Sequence, residues 1–243
     1  MKKIIKKVLF FVLLPTLLFI LVTSIYENIV IQNKINSFCQ NSILDEVNST
    51  SSKKCYYKEN SDYYSNHSYI NPGNYCDILV TTYGAPTQPI IHELVSWTIG
   101  GHAALVGLSY NDEYFSFSYN TSLETTINDE YTYAYTINTN SWEDVYSFPN
   151  YIILRVDLTL DQSNKIFNEA VSMLGDPYNF LFVTNYKNKS YCSDFVSKCF
   201  RVANININYD LGTTTVLDIA ASNKTYIVGY KKYVNKVSYY YTY

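Results

Sequence analysis

The longest run of apolar positions lies at the start of the chain. After the basic opening Met1 to Lys7, residues Val8 to Ile25 carry no charge over 18 positions. That is just long enough to cross a bilayer as a helix, with the apolar character continuing through Ile29-Val-Ile31. Two readings are open: a signal peptide cleaved after Val22-Thr23-Ser24, or a retained signal anchor, which the length favours. Lysines before the run and Glu27 after it orient the N-terminus to the cytoplasm and the remainder outside it. Residues 32–71 are polar and rich in Ser, Asn and Tyr, and read as a stalk with one short helix near Ile35 to Val47.

Beyond Pro72-Gly73 the pattern becomes that of a packed domain. Asp77 to Thr82, His102 to Ser109 and Tyr151 to Asp157 are short apolar runs and predict core strands. Glu113 to Ser118 alternates polar and aromatic positions, the period of a half-buried strand, and a hairpin joins it to the His102 strand through Tyr110-Asn-Asp112. Between Ile90 and Ile99 the chain reads as a short helix or an irregular link.

Thr159 to Leu174 predicts a helix. Thr159 or Asp161 caps it, Ile166, Phe167, Ala170, Val171 and Leu174 form its stripe, and Gly175 ends it. Lys189 to Phe200 reads as a polar loop running into an amphipathic helix capped by Ser190 or Ser193, with Val196, Cys199 and Phe200 facing a core. Val216 to Ala220 reads as a link and Thr225 to Tyr230 as a last strand; the tyrosine-rich end is expected to fray. Helices and strands mix without strict alternation, so the class is α+β. The expected division is an N-terminal anchor over 1–31, a stalk over 32–71 and a globular domain over 72–243.

Composition changes little. The chain has 243 residues, 47% of them hydrophobic, enough for a substantial core. A formal charge of −3 and a pI near 5.6 give no reason to expect a nucleic-acid partner. Tyrosine is unusually common, with 27 residues, which we read as coding-sequence bias rather than as sugar-binding platforms.

Candidate chemistry centres on two residues. Cys192 falls at the mouth of its helix, where unpaired backbone N–H groups and the helix dipole favour a thiolate. His102 opens an apolar strand after Gly100-Gly101. A histidine brought to such a cysteine is a nucleophile–base pair. The bland alternatives are a buried thiol, which is the reading of Cys199, and a satisfied core histidine. His67 and His92 are read as idle. Cys39 and Cys55, in the polar stretch, are the expected disulfide of an exported chain. Without a Cys-x-x-Cys pair, and with scattered histidines, no metal site and no cofactor are expected.

These segments carry a resemblance. Asp77-Ile-Leu-Val, Gly101-His-Ala-Ala-Leu-Val106, Tyr151-Ile-Ile-Leu-Arg-Val, Leu174-Gly-Asp-Pro-Tyr178 and Tyr191-Cys-Ser-Asp-Phe-Val196 follow in the order of the YiiX-like permuted papain-fold family, within the wider superfamily of NlpC-type cell-wall amidases. The resemblance covers about residues 72–230. It implies a circularly permuted papain-like fold, an antiparallel sheet packed on helices, with Cys192 as nucleophile and His102 as general base. It also implies a third residue that orients the imidazole from the next strand; alignment through Phe115 puts Ser116 there, where the family usually has an acid.

The implied activity is that of a cysteine hydrolase acting on amide bonds of peptides or cell-wall peptides. Hydrolysis or transfer of lipid acyl groups, known from a related permuted fold, and a catalytically weak binding module remain as alternatives. The implied partners are a peptide, cell-wall or acyl-lipid substrate and the membrane.

Overall fold

The computed structural model describes residue 11 and residues 14–48, 73–82, 98, 100–108, 114–119, 134–138, 142, 148–179, 186–209, 213–235 and 237–242. The expected Ile90–Ile99 link, the Tyr110–Asp112 turn and Cys55 lie almost wholly outside these residues. In chain order the elements are α1 (Leu14–Asn41), β1 (Ile43–Asn48), β2 (Ile78–Thr81), β3 (His102–Leu108), β4 (Tyr114–Tyr119), β5 (Ala134–Asn138), β6 (Asn150–Arg155), α2 (Leu160–Ser172), α3 (Cys192–Arg201), α4 (Val216–Ala221), β7 (Tyr226–Val234) and β8 (Val237–Thr242).

The strands form one antiparallel sheet in the order β1-β8-β7-β6-β2-β3-β4-β5. The apolar runs at β2, β3 and β6 are central because both of their faces are covered. Ile78, Val80, Ala103, Leu105, Ile152 and Leu154 share a core with the four helices. Their neighbours Leu79, Ala104, Val106, Tyr151 and Ile153 pack on the opposite face around Trp142 and Val228. A strand buried on both faces shows no alternation, which is why these stretches read as continuous apolar runs.

Asp77 pins this centre. It accepts from Arg155 Nε at 2.8 Å and Nη2 at 3.0 Å, and from the Asn74 N–H at 2.7 Å, at the head of β2. Burial pushes the Asp77 carboxyl up in pKa, and Arg155 opposes that rise. Removing the guanidinium would therefore leave a buried carboxylate unpaired.

The helices follow their local signals to different degrees. In α2, Thr159 and Gln162 form a reciprocal capping box, and Gly175 beyond its end takes a φ of 87°. Its buried stripe is narrower than expected: Ile166 and Ala170 are buried, whereas Val171 and Leu174 are exposed. The N-cap of α3 is Tyr191, and neither Ser190 nor Ser193 caps it through a side chain. The expected link at Val216–Ala220 is the short helix α4, whose capping box joins Thr215 and Asp218.

The largest departures are at the two ends. Residues 32–48, expected as stalk, are the second half of α1 followed by β1. Ile31 and Phe38 of α1 are buried in the main core. The Lys34 amine donates to the carbonyls of Ala220, Ser222 and Thr225 at 3.0, 2.5 and 3.0 Å, closing the C-terminal end of α4. The tyrosine-rich end does not fray, because β8 is paired on one side with β7 and on the other with β1. The composition of both ends is polar, but each supplies the ladder partner the other lacks. Cys39 is a free thiol.

The first half of α1 behaves differently. Leu14, Leu17, Leu18, Phe19 and Val22 are all more than half exposed. The helix is 28 residues long, with a mean hydropathy of 1.8 over its most apolar stretch, so it is long and apolar enough to cross a membrane.

Candidate active site

Helix α3 is fixed from both sides before it can present Cys192. On one side, Lys198 donates to the carbonyls of Tyr186 and Lys189 at 2.9 and 2.7 Å and to Ser190 Oγ at 2.8 Å, and pairs with buried Asp194 at 2.9 Å. One side chain thus ties the incoming loop to the first turn. On the other side, the Ser193 hydroxyl donates to the Thr214 carbonyl at 2.9 Å, Ser197 donates to Asn208 Oδ1 at 2.8 Å, and Asn208 Nδ2 donates to Thr214 Oγ1 at 2.6 Å. Phe195, Val196, Cys199 and Phe200 bury the inner face of the helix. The stripe read from the sequence is therefore the buried one, and Cys199 is a core thiol whose pKa burial raises well above the usual value.

Cys192 is the first residue of α3 and is 8% exposed. Its sulfur is met by the Ala103 N–H, with the backbone of Ser193 beside it. Burial raises its pKa, and these contacts act in the opposite direction. The Ala103 N–H is free to do this because of the sheet. Val106 N–H donates to the Asp77 carbonyl at 2.8 Å, which sets even-numbered residues of β3 toward β2. Odd-numbered N–H groups therefore point toward β4. The β3–β4 pairing begins at Leu105↔Phe117. Ala103 lies beyond the last pair, and its N–H meets the thiol instead.

His102 immediately precedes Ala103. Its ring stacks on Trp142 with centroids 5.8 Å apart and lies 6.3 Å from the Phe148 ring, while Trp142 and Phe148 stack on each other at 4.3 Å. Desolvation among these groups pulls the His102 pKa down to about 4. Trp142 is fully buried, and its carbonyl accepts from the Lys231 amine at 3.3 Å. The sequence reading missed Trp142. The signal was one of the chain's two tryptophans in a polar stretch, and nothing local says which ring it will meet.

The structure thus brings Cys192 to the backbone of Ala103, next to His102 in the strand, while the His102 ring packs on Trp142, on the face of the sheet opposite the one that α3 covers. It does not bring Ser116 there: Ser116 pairs opposite Val106, four residues along β3 from His102, or about 13 Å at the usual strand rise. Among the described residues no group of three His, Cys, Asp or Glu could hold a metal ion. An open groove of about 500 Å³ lies between α1 and β7, lined by Val30, Lys34, Phe38 and Ile227, and includes no residue of this site.

A cysteine at the mouth of a helix docked on an antiparallel sheet, following in the chain the strand that carries the histidine, defines a permuted papain-like fold. The model of the family described as permuted papain-like amidase enzyme, YaeF/YiiX, C92 family, matches residues 77–224, and the chain belongs to that family. Among solved structures the chain is similar to the metalloprotein yiiX from Escherichia coli O157:H7, at 14% identity and a TM-score of 0.49, covering 65% of this chain and 97% of that one. No curated protein matches the chain.

Proposed function

We propose that this protein is a membrane-anchored cysteine hydrolase that cleaves amide bonds of peptides or cell-wall peptide stems, with Cys192 as nucleophile and His102 as general base. One observation carries this reading: the Cys192 sulfur, at the N-terminus of α3, is hydrogen-bonded to the N–H of the residue that follows His102. The membrane part rests on the exposed apolar half of α1, and the lysines before it support a domain outside the cytoplasm. The hydrolase domain then comprises 72–243 together with the second half of α1 and β1.

Both members of the pair rest uncharged, because burial lowers the histidine and raises the thiol. Substrate entry brings the proton transfer: His102 takes the thiol proton, and the sulfur attacks the amide carbon. The carbonyl oxygen gains charge and is met by N–H donors at the helix mouth. Collapse of the tetrahedral species forms the thioester and breaks the C–N bond, with the His102 proton passing to the leaving amine. Water, giving a proton to His102, then hydrolyses the thioester to a carboxylic acid and free thiol. The third catalytic position, read at Ser116, is held in this proposal by contact rather than by charge, with Trp142 keeping the imidazole in place.

The test is turnover of peptide amides and peptidoglycan fragments by the full chain in detergent, with Cys192→Ala and His102→Ala as controls. Turnover that survives in Cys192→Ala overturns the assignment.

A further inference from the structure

The two halves of α1 meet different surroundings: the buried face begins at Ser24, while Ile25, Tyr26 and Ile29 on the other face remain exposed. N-terminal to Ser24, positions 14, 17, 18, 19, 20, 21 and 22 are all exposed and apolar. From Ser24 on, a stripe of Ser24, Glu27, Ile31 and Phe38 is buried against the domain. The spacing of these four is that of one helix face. If the apolar half lies in a bilayer, the bilayer ends close to Ser24.

Ser24 is also close to the active site. Its hydroxyl donates to the Thr98 carbonyl at 2.9 Å. Thr98 leads through Gly100 and Gly101 into His102, a distance of at most about 14 Å for four extended residues. Gly100, at a φ of 82°, lies against Val216, whose Cβ would be 2.6 Å from a Cβ at this position. Next to Val216, the Thr214 carbonyl holds the hydroxyl of Ser193, beside Cys192. On the same loop, Tyr209 is 40% exposed and packs its ring 5.9 Å from that of Tyr26, two residues beyond Ser24. Aromatic side chains with a polar tip are favoured at the edge of a membrane. Three separate segments therefore join the catalytic residues to the point where the apolar half of α1 begins.

We infer that the substrate is itself held in the membrane: an amphiphile with a lipid anchor whose scissile amide lies within about 14 Å of the bilayer edge, or no more than about four extended residues from the anchor. This rests on the hydrolase and membrane-anchor readings above and narrows them. A substrate confined to the same surface meets the site at a high effective concentration, whereas a soluble peptide must reach a site facing the headgroups. The advantage falls when the spacer grows long enough for the scissile bond to leave the surface.

The experiment uses the full chain in phosphatidylcholine vesicles and three coumarin amides with the same scissile bond. One is an acetyl dipeptide; one is a palmitoyl dipeptide inserted in the same vesicles; one is a palmitoyl peptide with a twelve-residue spacer. The expected kcat/KM is at least tenfold higher for the palmitoyl dipeptide than for the acetyl dipeptide, with the long-spacer substrate falling back toward the acetyl value. Equal rates for the palmitoyl and acetyl dipeptides, or a faster acetyl dipeptide, overturn this inference and leave the hydrolase reading standing. So does a long-spacer substrate as good as the short one. No hydrolysis of any substrate overturns it as well, and labelling of Cys192 by iodoacetamide then decides the wider reading: an unreactive thiol removes the nucleophile too.

Discussion

The N–H of Ala103 meets the sulfur of Cys192 at the place where β4 leaves β3. That bond ties the candidate nucleophile to the strand of the histidine, in addition to the packing of Ala103 and Leu105 in the core that α3 covers. Its first consequence concerns which thiol reacts. Cys192→Ser should lose at least a thousandfold in turnover while keeping its near-ultraviolet circular dichroism, because serine is nearly isosteric. Cys199→Ala should keep activity and the labelling of Cys192, since Cys199 is wholly buried in the core. Mass mapping of iodoacetamide adducts on the native chain checks both, and an adduct at Cys199 before Cys192 would reverse the assignment.

The pH dependence follows from two shifts of opposite sign. His102 is lowered to about 4, so it is neutral throughout the range from pH 5 to 8. Cys192 is raised, so its thiolate fraction grows only toward alkaline pH. Alkylation of Cys192 should accelerate close to tenfold per pH unit above neutrality, with no step between pH 6.5 and 5. A bell-shaped profile centred below pH 6 would show that the ion pair exists at rest.

The same histidine makes the fold acid-sensitive. Its folded pKa lies below its unfolded value of 6.5, so the unfolded chain binds the extra proton first. The contribution is complete above pH 6.5 and is lost as pH falls through 4, amounting to about 3 kcal/mol at the acid end. Urea midpoints at pH 7 and 4.5 should differ less in His102→Gln than in the parent. An equal difference in both would put the acid sensitivity elsewhere, and a change in it on Arg155→Met would then assign it to the buried Asp77–Arg155 pair.

Much of this site could be read from residues alone, and the reasons for the gaps are physical. The positions of Cys192 and His102 were legible because each stands at the boundary of an element whose pattern is local: a helix mouth and the head of an apolar run. Ser116 was placed by counting from Phe115, but the ladder pairs it with Val106, and register depends on a turn that the local pattern does not fix. Trp142 and Lys231 meet across 89 positions, and no periodicity carries such a contact. The stalk was misread for the same reason: β1 is stabilised by β8, almost two hundred residues away, so its own polar composition says little.

Trp142 should act on His102 through packing. Trp142→Ala removes a fully buried ring and should cost about 3 to 5 kcal/mol of stability. With the ring gone, water reaches the imidazole, and its pKa should rise toward 6.5 by NMR titration, with kcat falling more than tenfold while KM changes little. Trp142→Phe keeps a stacking face and should restore most of kcat. Ser116→Ala should change turnover less than threefold. A pKa for His102 unchanged in Trp142→Ala would make the tryptophan a core residue only.

The last prediction concerns where the domain begins. A boundary at residue 72 removes α1 and β1. Without α1 the carbonyls of Ala220, Ser222 and Thr225 lose the Lys34 amine, and the core loses Ile31 and Phe38. Each of those two apolar side chains contributes about 1.5 to 3 kcal/mol on burial. Without β1 the edge of β8 loses a six-residue ladder and becomes an open strand of tyrosines, a template for association. These losses together are of the order of the whole stability of a domain. A chain starting at residue 72 should therefore be insoluble or molten. One starting at residue 24 keeps the buried stripe of α1 and discards only its exposed apolar turns, so it should fold with a cooperative urea transition. Single substitution of Lys34 by Met should lower the midpoint of that transition, since a buried carbonyl left without its donor costs about 1 to 3 kcal/mol. A cooperative transition in the chain starting at 72, equal to that of the longer one, would return residues 32–48 to the role of a stalk.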